Sequence, residues 1–208
     1  MKKIIAICNS KGGSGKTTIL LNLAIALNEK YKVTVLDLDF QKSSMVFNNI
    51  RKENKRSLLN IIQAESEKDL KKAIKENTGI LLIDTGAYDS DLNRMAILLS
   101  DMLITPVSDN SIDIYGLLMF NEYLKKLKTV KPSLKTNILI DRLSAKGSTK
   151  EIINQVKENK NTMVLMKSIL KDRQAYKNLF ITGESVIEAK RKNEATAEIL
   201  KLTAEVIK

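Results

Sequence analysis

Histidine and tryptophan are absent from this chain of 208 residues, which contains only one cysteine and two prolines. The lack of histidine removes the commonest acid–base residue and metal ligand, and it excludes serine–histidine and cysteine–histidine nucleophile pairs. The lone cysteine, Cys8, cannot form an internal disulfide and provides no metal-cluster ligand set. Its place inside an apolar run favours a small, buried, apolar role.

The sequence also lacks an apolar run long enough to span a bilayer, and its first residues do not resemble a signal peptide. We therefore expect a cytoplasmic protein. Basic residues outnumber acidic ones, with 35 Lys and Arg and 24 Asp and Glu, which gives a net charge of +11. This excess favours nucleic acid or an anionic membrane surface as a partner, although a lysine-rich solvated surface would give the same composition.

Residues 11–18 read Lys-Gly-Gly-Ser-Gly-Lys-Thr-Thr, between an apolar run at 4–8 that predicts a strand and one at 19–27 that predicts a buried helix. The glycines allow backbone N–H groups to close around an anion, and the helix adds the positive end of its dipole. The pattern predicts a phosphate-binding loop in which Lys16 contacts the β- and γ-phosphates and the Thr17 hydroxyl binds Mg²⁺.

The loop departs from the general phosphate-loop pattern, which would have glycine at Ser10, and it carries a second lysine, Lys11. In this respect it resembles the deviant Walker A motif of the ParA/MinD family of ATPases. The resemblance implies ATP and Mg²⁺ as cofactors, and a homodimer formed through ATP in which Lys11 reaches the partner's phosphates. It implies that the nucleotide is bound by Lys11, Gly12, Gly13, Ser14, Gly15, Lys16, Thr17 and Thr18.

Carboxylates follow two further apolar runs, at 33–38 and 80–84, each of which predicts a buried strand. The segment from Asp37 through Asp39 resembles the family's Asp-x-Asp-Pro-Gln motif, with Phe40 in place of proline. The resemblance implies that Asp37 lies near Mg²⁺ and its waters and that Asp39 orients or deprotonates the attacking water. Asp84, at the end of the third strand, is predicted to bind a Mg²⁺ water as a Walker B carboxylate.

A later predicted strand, residues 136–142, ends where many family members place an asparagine against adenine. Here the residue is Asp141, whose carboxylate could accept a hydrogen bond from the exocyclic amine, and Arg142 could stack over the base. A further strand is predicted at 101–107, and Asp113 in the following segment matches an acidic position at the family's dimer interface.

Strands that alternate with helices predict one α/β domain over residues 1–208, with a mostly parallel twisted sheet covered by helices on both faces, the P-loop NTPase fold. Short amphipathic helices are predicted at 57–62 and 70–74, and a closing helix at 193–208 with Asn193 as its cap. Segments at 173–176 and 183–186 resemble the C-terminal signature of the small ParF-like plasmid partition ATPases. No N-terminal helix-turn-helix extension is expected.

The resemblance implies an ATPase switch for plasmid or chromosome partitioning. Its ATP-bound dimer would bind nonspecific DNA and a centromere-binding adaptor protein, ParB-like or ParG-like, and hydrolysis would release it, so the cytoplasmic protein would associate with the nucleoid. Basic residues that could contact DNA are dense in the last third of the chain: Lys157, Lys160, Lys167, Lys171, Arg173, Lys177, Lys190, Arg191 and Lys192.

Other functions remain open on the same fold. A MinD-like ATPase would position its cargo at the membrane, but residues 197–208 have mixed charge and no aromatic side chain, so no stable membrane association is expected. An ATP-dependent metabolic ligase would bind a carboxylate substrate beside the phosphate. A binding module without hydrolysis would result if Phe40 disabled the switch, whereas a nitrogenase-type reductase would need ligating cysteines that Cys8 does not provide.

Overall fold

In the computed structural model, which describes residues 1–87 and 90–208, strands and helices alternate along the chain. The strands are β1 (Lys3–Ile7), β2 (Val33–Asp37), β3 (Ile61–Gln63), β4 (Ile80–Asp84), β5 (Met102–Val107), β6 (Thr136–Leu143) and β7 (Met163–Lys171). The helices are α1 (Lys16–Asn28), α2 (Ser43–Glu53), α3 (Glu67–Glu76), α4 (Asp91–Leu99), α5 (Ser111–Leu127), α6 (Lys150–Glu158), α7 (Gln174–Lys177), α8 (Leu179–Thr182) and α9 (Glu194–Val206).

The strands form one sheet in the order β3-β2-β4-β1-β5-β6-β7, and every ladder between the described strands is parallel. Side chains of α1 and α9 pack on one face, and side chains of α3, α4 and α5 pack on the other. The predicted α/β fold with a helix-covered parallel sheet is therefore confirmed.

The central strand β1 shows why these apolar runs become strands. Ile5 and Ile7 lie in the core beneath α1 and α9, whereas Ala6 and, just past the strand, Cys8 lie in the core beneath α4 and α5. Successive side chains of a strand point to opposite faces, so a strand buried on both faces needs apolar residues at every position. Cys8 is 1% exposed, as predicted, and burial raises the pKa of its thiol to about 12.

The parallel register brings the carboxyl ends of the central strands to one edge of the sheet. Asp84 pairs in register with Asp37 on one side and with Ile7 on the other. The loop that leads from β1 into α1 leaves the sheet at this same edge, because β1 ends at Ile7. Ligands of open α/β sheets bind at this edge, where the order of the strands reverses around β1.

The helix predicted at 57–62 is wrong. Residues 61 and 62 belong to the edge strand β3, in which Ile61 pairs with Val35 and Ile62 with Leu36 of β2. The backbone before the strand is held from α2, since Asn48 exchanges two hydrogen bonds of 3.0 Å with Leu59. Pairing with the sheet and these side-chain bonds outweigh the local amphipathic pattern. The helix predicted at 70–74 lies within α3.

The closing helix α9 begins as predicted. The side chain of Asn193 accepts a hydrogen bond from the backbone N–H of Thr196 at 3.1 Å, and the Thr196 hydroxyl accepts one from the backbone N–H of Asn193 at 3.3 Å. Two glutamates of α9 also cover the outer edge of the sheet. Glu205 accepts from the N–H groups of Lys167 and Ser168, and Glu198 accepts from that of Lys171, all on β7.

A buried ion pair joins α2 to the segment before α9. Arg51 is 2% exposed and forms two hydrogen bonds of 2.7 and 2.8 Å to the carboxylate of Glu188. The guanidinium also donates to the carbonyls of Ser57 and Gly183. A Cβ on Gly183, which has a φ of +64°, would lie only 3.0 Å from the backbone of Arg51, so the close approach requires glycine.

Candidate functional site

The phosphate-binding loop predicted at 11–18 lies between β1 and α1. Helix α1 starts at Lys16, and Gly15 immediately before it has a φ of +86° in the left-handed region. A Cβ at Gly15 would lie 2.5 Å from a carboxylate oxygen of Asp141, so both backbone conformation and close packing require glycine. The start of α1 therefore lies directly against the end of β6.

An open cavity of about 340 Å³ surrounds this loop. Its lining combines the glycine loop with the segment that follows β2 and with the end of β6. The structure thus brings together, around one cavity, most of the residues that the sequence singled out. They are Gly12, Gly13, Ser14, Gly15, Lys16, Thr17, Thr18, Asp39 and Arg142, together with Phe40, Gln41, Ser43 and Ala87.

Lys16 is the buried cation of the cavity. Its side chain is folded back over the loop, where the ammonium donates to the carbonyls of Lys11 at 3.0 Å and Asn9 at 3.3 Å. Burial lowers the pKa of Lys16, whereas the charges of Asp84 and Asp39 act to raise it. An ammonium held by carbonyls inside a glycine loop is suited to an anionic ligand, and its contact with phosphate stays a prediction.

Asp84 is a nearly fully buried carboxylate, 1% exposed. One of its oxygens accepts from the Ser44 hydroxyl at 3.3 Å, and the other, Oδ1, is buried without a hydrogen-bond partner among residues 1–87 and 90–208. Burial raises the pKa of Asp84 to about 7, although the nearby Thr17 hydroxyl and the Lys16 ammonium act to lower it. A buried carboxylate oxygen without a partner indicates a place for a ligand.

Asp37 lies beside Asp84 on the neighbouring strand and is 3% exposed. Its two oxygens accept from the N–H groups of Asp39 at 2.9 Å and Ser44 at 3.3 Å. Burial is the largest influence on the pKa of Asp37 and raises it. The hydrogen bonds from Asp39 and Ser44 partly offset this increase. Both carboxylates are therefore held rigidly by their own strands and by the start of α2.

These residues fit the predicted Mg²⁺. No group of three or more His, Cys, Asp or Glu suited to a metal ion occurs in the described part of the chain. Magnesium does not need such a cage, because it keeps several waters and is held by one or two carboxylates together with phosphate oxygens. Thr17, Asp37 and Asp84 would hold it, and the partnerless oxygen of Asp84 could accept from a metal-bound water. The ion would neutralise negative charge on the phosphates.

Asp39 is half-buried and lines the cavity around the glycine loop, which we call the phosphate cavity. Its carboxylate accepts from the N–H of Gln41 at 3.0 Å, and its carbonyl accepts from the N–H of Lys42 at 3.0 Å. These bonds close a turn around Phe40, the residue that replaces the family's proline. The turn is therefore fixed by the side chain of Asp39 instead of by a proline ring, and the ring of Phe40 is 67% exposed at the rim of the cavity.

Lys11 and Arg142 meet at one buried carboxylate, that of Asp113. Lys11 forms an ion pair with one oxygen of Asp113. The other oxygen accepts from Ser108 at 2.6 Å and from Arg142 at 3.1 Å. Although burial acts to raise the pKa of Asp113, the hydrogen bonds from Lys11 and Ser108 and the charge of Arg142 bring it below its usual value.

The family resemblance predicted a dimer-interface position for Asp113 and a base contact for Arg142, whereas in the structure both meet Lys11 in one network. The Arg142 guanidinium also donates to the carbonyl of Gly13 at 2.9 Å, and its backbone has a left-handed φ of +51°. Such backbone strain in a non-glycine residue clusters at functional sites. Asn9, which no pattern in the sequence singled out, accepts from the N–H of Lys11 at 2.9 Å.

Residues 5–195 match the CbiA family, described as the CobQ/CobB/MinD/ParA nucleotide binding domain. The chain belongs to this family. The ParA and MinD members are P-loop ATPases, so the predicted ParA/MinD family and the predicted P-loop fold are both confirmed.

Three similar proteins illustrate the range of the ParA/MinD family. A maintenance of carboxysome distribution protein A from Halothiobacillus neapolitanus is 23% identical over 207 residues, covering 98% of this chain and 95% of that protein. A virulence plasmid ParA family protein from Chlamydia psittaci is 24% identical, covering 98% of this chain and 94% of that protein. The structure of a plasmid partition protein from Borrelia burgdorferi bound to AMPPNP has a TM-score of 0.72 at 20% identity, covering 100% of this chain and 99% of that chain.

No helix in the described ranges of this ParA/MinD-family chain combines the length and the apolar character that crossing a membrane requires. The closing helix α9 instead buries its apolar side, with Ile199 and Leu202 fully buried in the core against α1. The closing helix is therefore part of the core packing.

Proposed function

We propose that this chain is a nucleotide-dependent switch ATPase that distributes DNA, with water as the acceptor of the γ-phosphoryl group. The observation that carries the proposal is the arrangement around the glycine loop. A buried ammonium, Lys16, lies within the electrostatic influence of the buried carboxylate Asp84, which pairs in register with Asp37 on the next strand. A half-buried carboxylate, Asp39, lines the same cavity as Lys16. This is the set of groups that positions a triphosphate, a metal and an attacking water.

Each group has a distinct role in the proposal. Lys16 and the loop N–H groups bind the β- and γ-phosphates, and Thr17, Asp37 and Asp84 hold the magnesium and its waters. Asp39 orients the attacking water or accepts its proton, since its carboxylate lines the cavity without being fully buried. Lys11 completes the site of a second subunit in an ATP-bound homodimer, so nucleotide and subunit association are coupled.

The proposed partner is nonspecific DNA, together with an adaptor protein bound to a centromere-like site. The net charge of +11 supports a polyanionic partner. Among the basic residues of the last third of the chain, Arg173 forms ion pairs with Glu194 and Glu198, and Lys177 pairs with Asp172. Lys192 donates to the carbonyl of Ile187. The residues that support DNA contact best are exposed and have neither such a bond nor an ion pair within the described ranges: Lys157, Lys160, Lys167, Lys171, Lys190 and Arg191.

Dimerisation would double this basic surface, which raises the affinity for DNA steeply and makes it dependent on salt. The test is retention of the protein on nonspecific duplex DNA at low salt with Mg²⁺ and either ATP or ADP. We expect retention with ATP and release with ADP. Lys16→Ala should lose the ATP-dependent retention, whereas Asp39→Ala should keep it but no longer turn over. Equal retention with both nucleotides would contradict the proposal.

A second candidate is suggested by one relative. The carboxysome distribution protein covers nearly the whole of this chain at a similar identity to the plasmid protein. The same switch could therefore distribute a protein body instead of a replicon. Loss of a plasmid from cells that lack the gene supports partitioning, whereas stable plasmids with mislocalised protein bodies support this alternative.

ATP-dependent flotation with liposomes would instead indicate a MinD-like function, and product formation from a carboxylate substrate would indicate a ligase.

A further inference from the structure

A second cavity, of about 110 Å³, opens beside the phosphate cavity on the side of β6 and α7. It is lined by Gly15 and Thr18 at the start of α1, by Asp141 and Arg142 at the end of β6, and by Arg173 and Tyr176. Arg142 and the start of α1 belong to both cavities. A nucleotide with its phosphates in the glycine loop would therefore extend its base into this second cavity.

Most polar groups around the second cavity are already engaged. The Tyr176 hydroxyl donates to Glu198 at 2.9 Å, and Arg173 pairs with the same glutamate at 2.8 Å. Asp172 pairs with Lys177 at 2.7 Å. No asparagine or glutamine is found among the described residues that line the cavity. Asp141 pairs with Arg142 through one oxygen, but a carboxylate can accept several hydrogen bonds. Its carboxylate and the hydroxyl of Thr18 are therefore the groups in this lining that can still contact the edge of a base.

Asp141 is fixed in this position. It is 5% exposed, and its Oδ2 atom lies 3.2 Å from the Nε atom of Arg142. The same oxygen lies so close to Gly15 that no side chain could fit there. The carboxylate is therefore packed against the start of α1 and held by the side chain of Arg142.

The hydrogen-bonding pattern of a carboxylate distinguishes guanine from adenine. An ionised carboxylate only accepts hydrogen bonds, whereas an amide side chain offers a donor beside an acceptor. The pairing edge of adenine presents an amine donor beside the N1 acceptor, which matches an amide. The edge of guanine presents the N1–H and the exocyclic amine side by side, which match the two oxygens of a carboxylate. Against adenine, one carboxylate oxygen would face the lone pair of N1.

We propose that Asp141 contacts the base and adapts this cavity to guanine, so that guanine nucleotides bind at least as tightly as adenine nucleotides. The inference rests on the proposed nucleotide site and concerns only which base that site accepts. A switch of this kind would respond to GTP as well as to ATP.

The test compares the dissociation constants of GDP and ADP with Mg²⁺ by calorimetry. Burial raises the pKa of Asp141 to about 7, so measurement near pH 8.5 keeps the carboxylate ionised. The intact chain should bind GDP at least as tightly as ADP. Asp141→Asn should move the GDP-to-ADP affinity ratio toward ADP by about tenfold or more, the usual effect of one bidentate contact. Glu122→Gln, at an exposed carboxylate that pairs with Lys125 on α5 and does not line this cavity, should leave the ratio unchanged.

A nucleotide analogue tests the same inference without a variant. IDP keeps the N1–H of guanine but lacks its exocyclic amine, so the intact chain should bind IDP several-fold more weakly than GDP. Tighter binding of ADP than of GDP by the intact chain, or an unchanged ratio in folded Asp141→Asn, would overturn the inference while leaving the proposed switch intact. Failure to bind either nucleotide would instead overturn the proposed function, and the inference with it.

Discussion

The ammonium of Lys11 is paired with the buried carboxylate of Asp113 within one chain, although the two residues are 102 positions apart. The side chain of Lys11 is 36% exposed, whereas that of Asp113 is 4% exposed. If Lys11 serves the partner's phosphates in the proposed dimer, it must first leave Asp113. The ion pair therefore favours the single subunit, and its loss should favour the dimer.

The first prediction concerns this competition. Asp113→Asn removes the charge that holds Lys11, so dimers should form at about 30-fold lower protein concentration, because each of the two subunits otherwise breaks an ion pair that contributes about 1 kcal/mol. The measurement is sedimentation with ATP and Mg²⁺ in an Asp39→Ala background, where hydrolysis is blocked. Asp109→Asn is the matched control, because Asp109 lies in the loop just before α5 but its carboxylate accepts from the Ser144 hydroxyl at 2.8 Å. An unshifted dimerisation midpoint would contradict the prediction.

The second prediction concerns pH. Because the pKa of Asp84 is raised to about 7, the folded protein binds a proton at this carboxyl group more tightly than the unfolded chain does. The protonated carboxyl group therefore favours the folded state. Its contribution to stability is complete below about pH 4 and is lost as the pH rises through about 7. Without metal, Asp84→Asn should therefore melt at a higher temperature than the intact chain at pH 8, with a smaller difference near pH 4.

Magnesium and nucleotide provide the control for that experiment. They should stabilise the intact chain at pH 8, because the ion compensates the buried charge, and should stabilise Asp84→Asn much less. Measurement of melting temperatures at both pH values, with and without Mg²⁺ and ADP, checks both statements. A variant that melts below the intact chain at pH 8 in the absence of metal would show that burial does not dominate at this carboxylate.

The third prediction concerns the ion pair between α2 and the segment before α9. Glu188→Ala leaves the guanidinium of Arg51 buried without its carboxylate, which should lower the free energy of unfolding by about 2–4 kcal/mol. Glu65→Ala breaks the exposed pair with Lys42 and should change stability by less than about 0.5 kcal/mol. Urea unfolding of both variants gives the comparison, and equal effects would mean that burial of the pair has no consequence.

The fourth prediction concerns DNA. Replacement of both Lys190 and Arg191 by alanine should weaken ATP-dependent DNA binding and reduce its salt dependence, by roughly one unit of slope for each phosphate that the variant no longer neutralises. The control replaces Lys71 and Lys125, which are exposed but paired with glutamates on their own helices. Binding isotherms at several salt concentrations give the slopes. A larger decrease in affinity for the control would place the DNA surface on another side of the protein.

The glycine loop and the strand-end carboxylates could be predicted because their signals are local. Each one is an apolar run followed directly by the residues that carry the chemistry, so no distant contact is needed to place it. The edge strand β3 could not be predicted, since its conformation depends on Val35 and Leu36 of the neighbouring strand. The contacts of Asp113 and of Asp141 with the loop also join distant parts of the chain, and no spacing in the sequence indicates them.

The glutamates of α9 that bond to the N–H groups of β7 limit how copies of this chain can assemble. Those groups are the ones that an added strand would need, and Glu198 and Glu205 already occupy them. Elongation of the sheet from one molecule into the next is therefore obstructed along this margin. Copies of this protein therefore cannot be joined by adding a strand at β7 unless these glutamates move away.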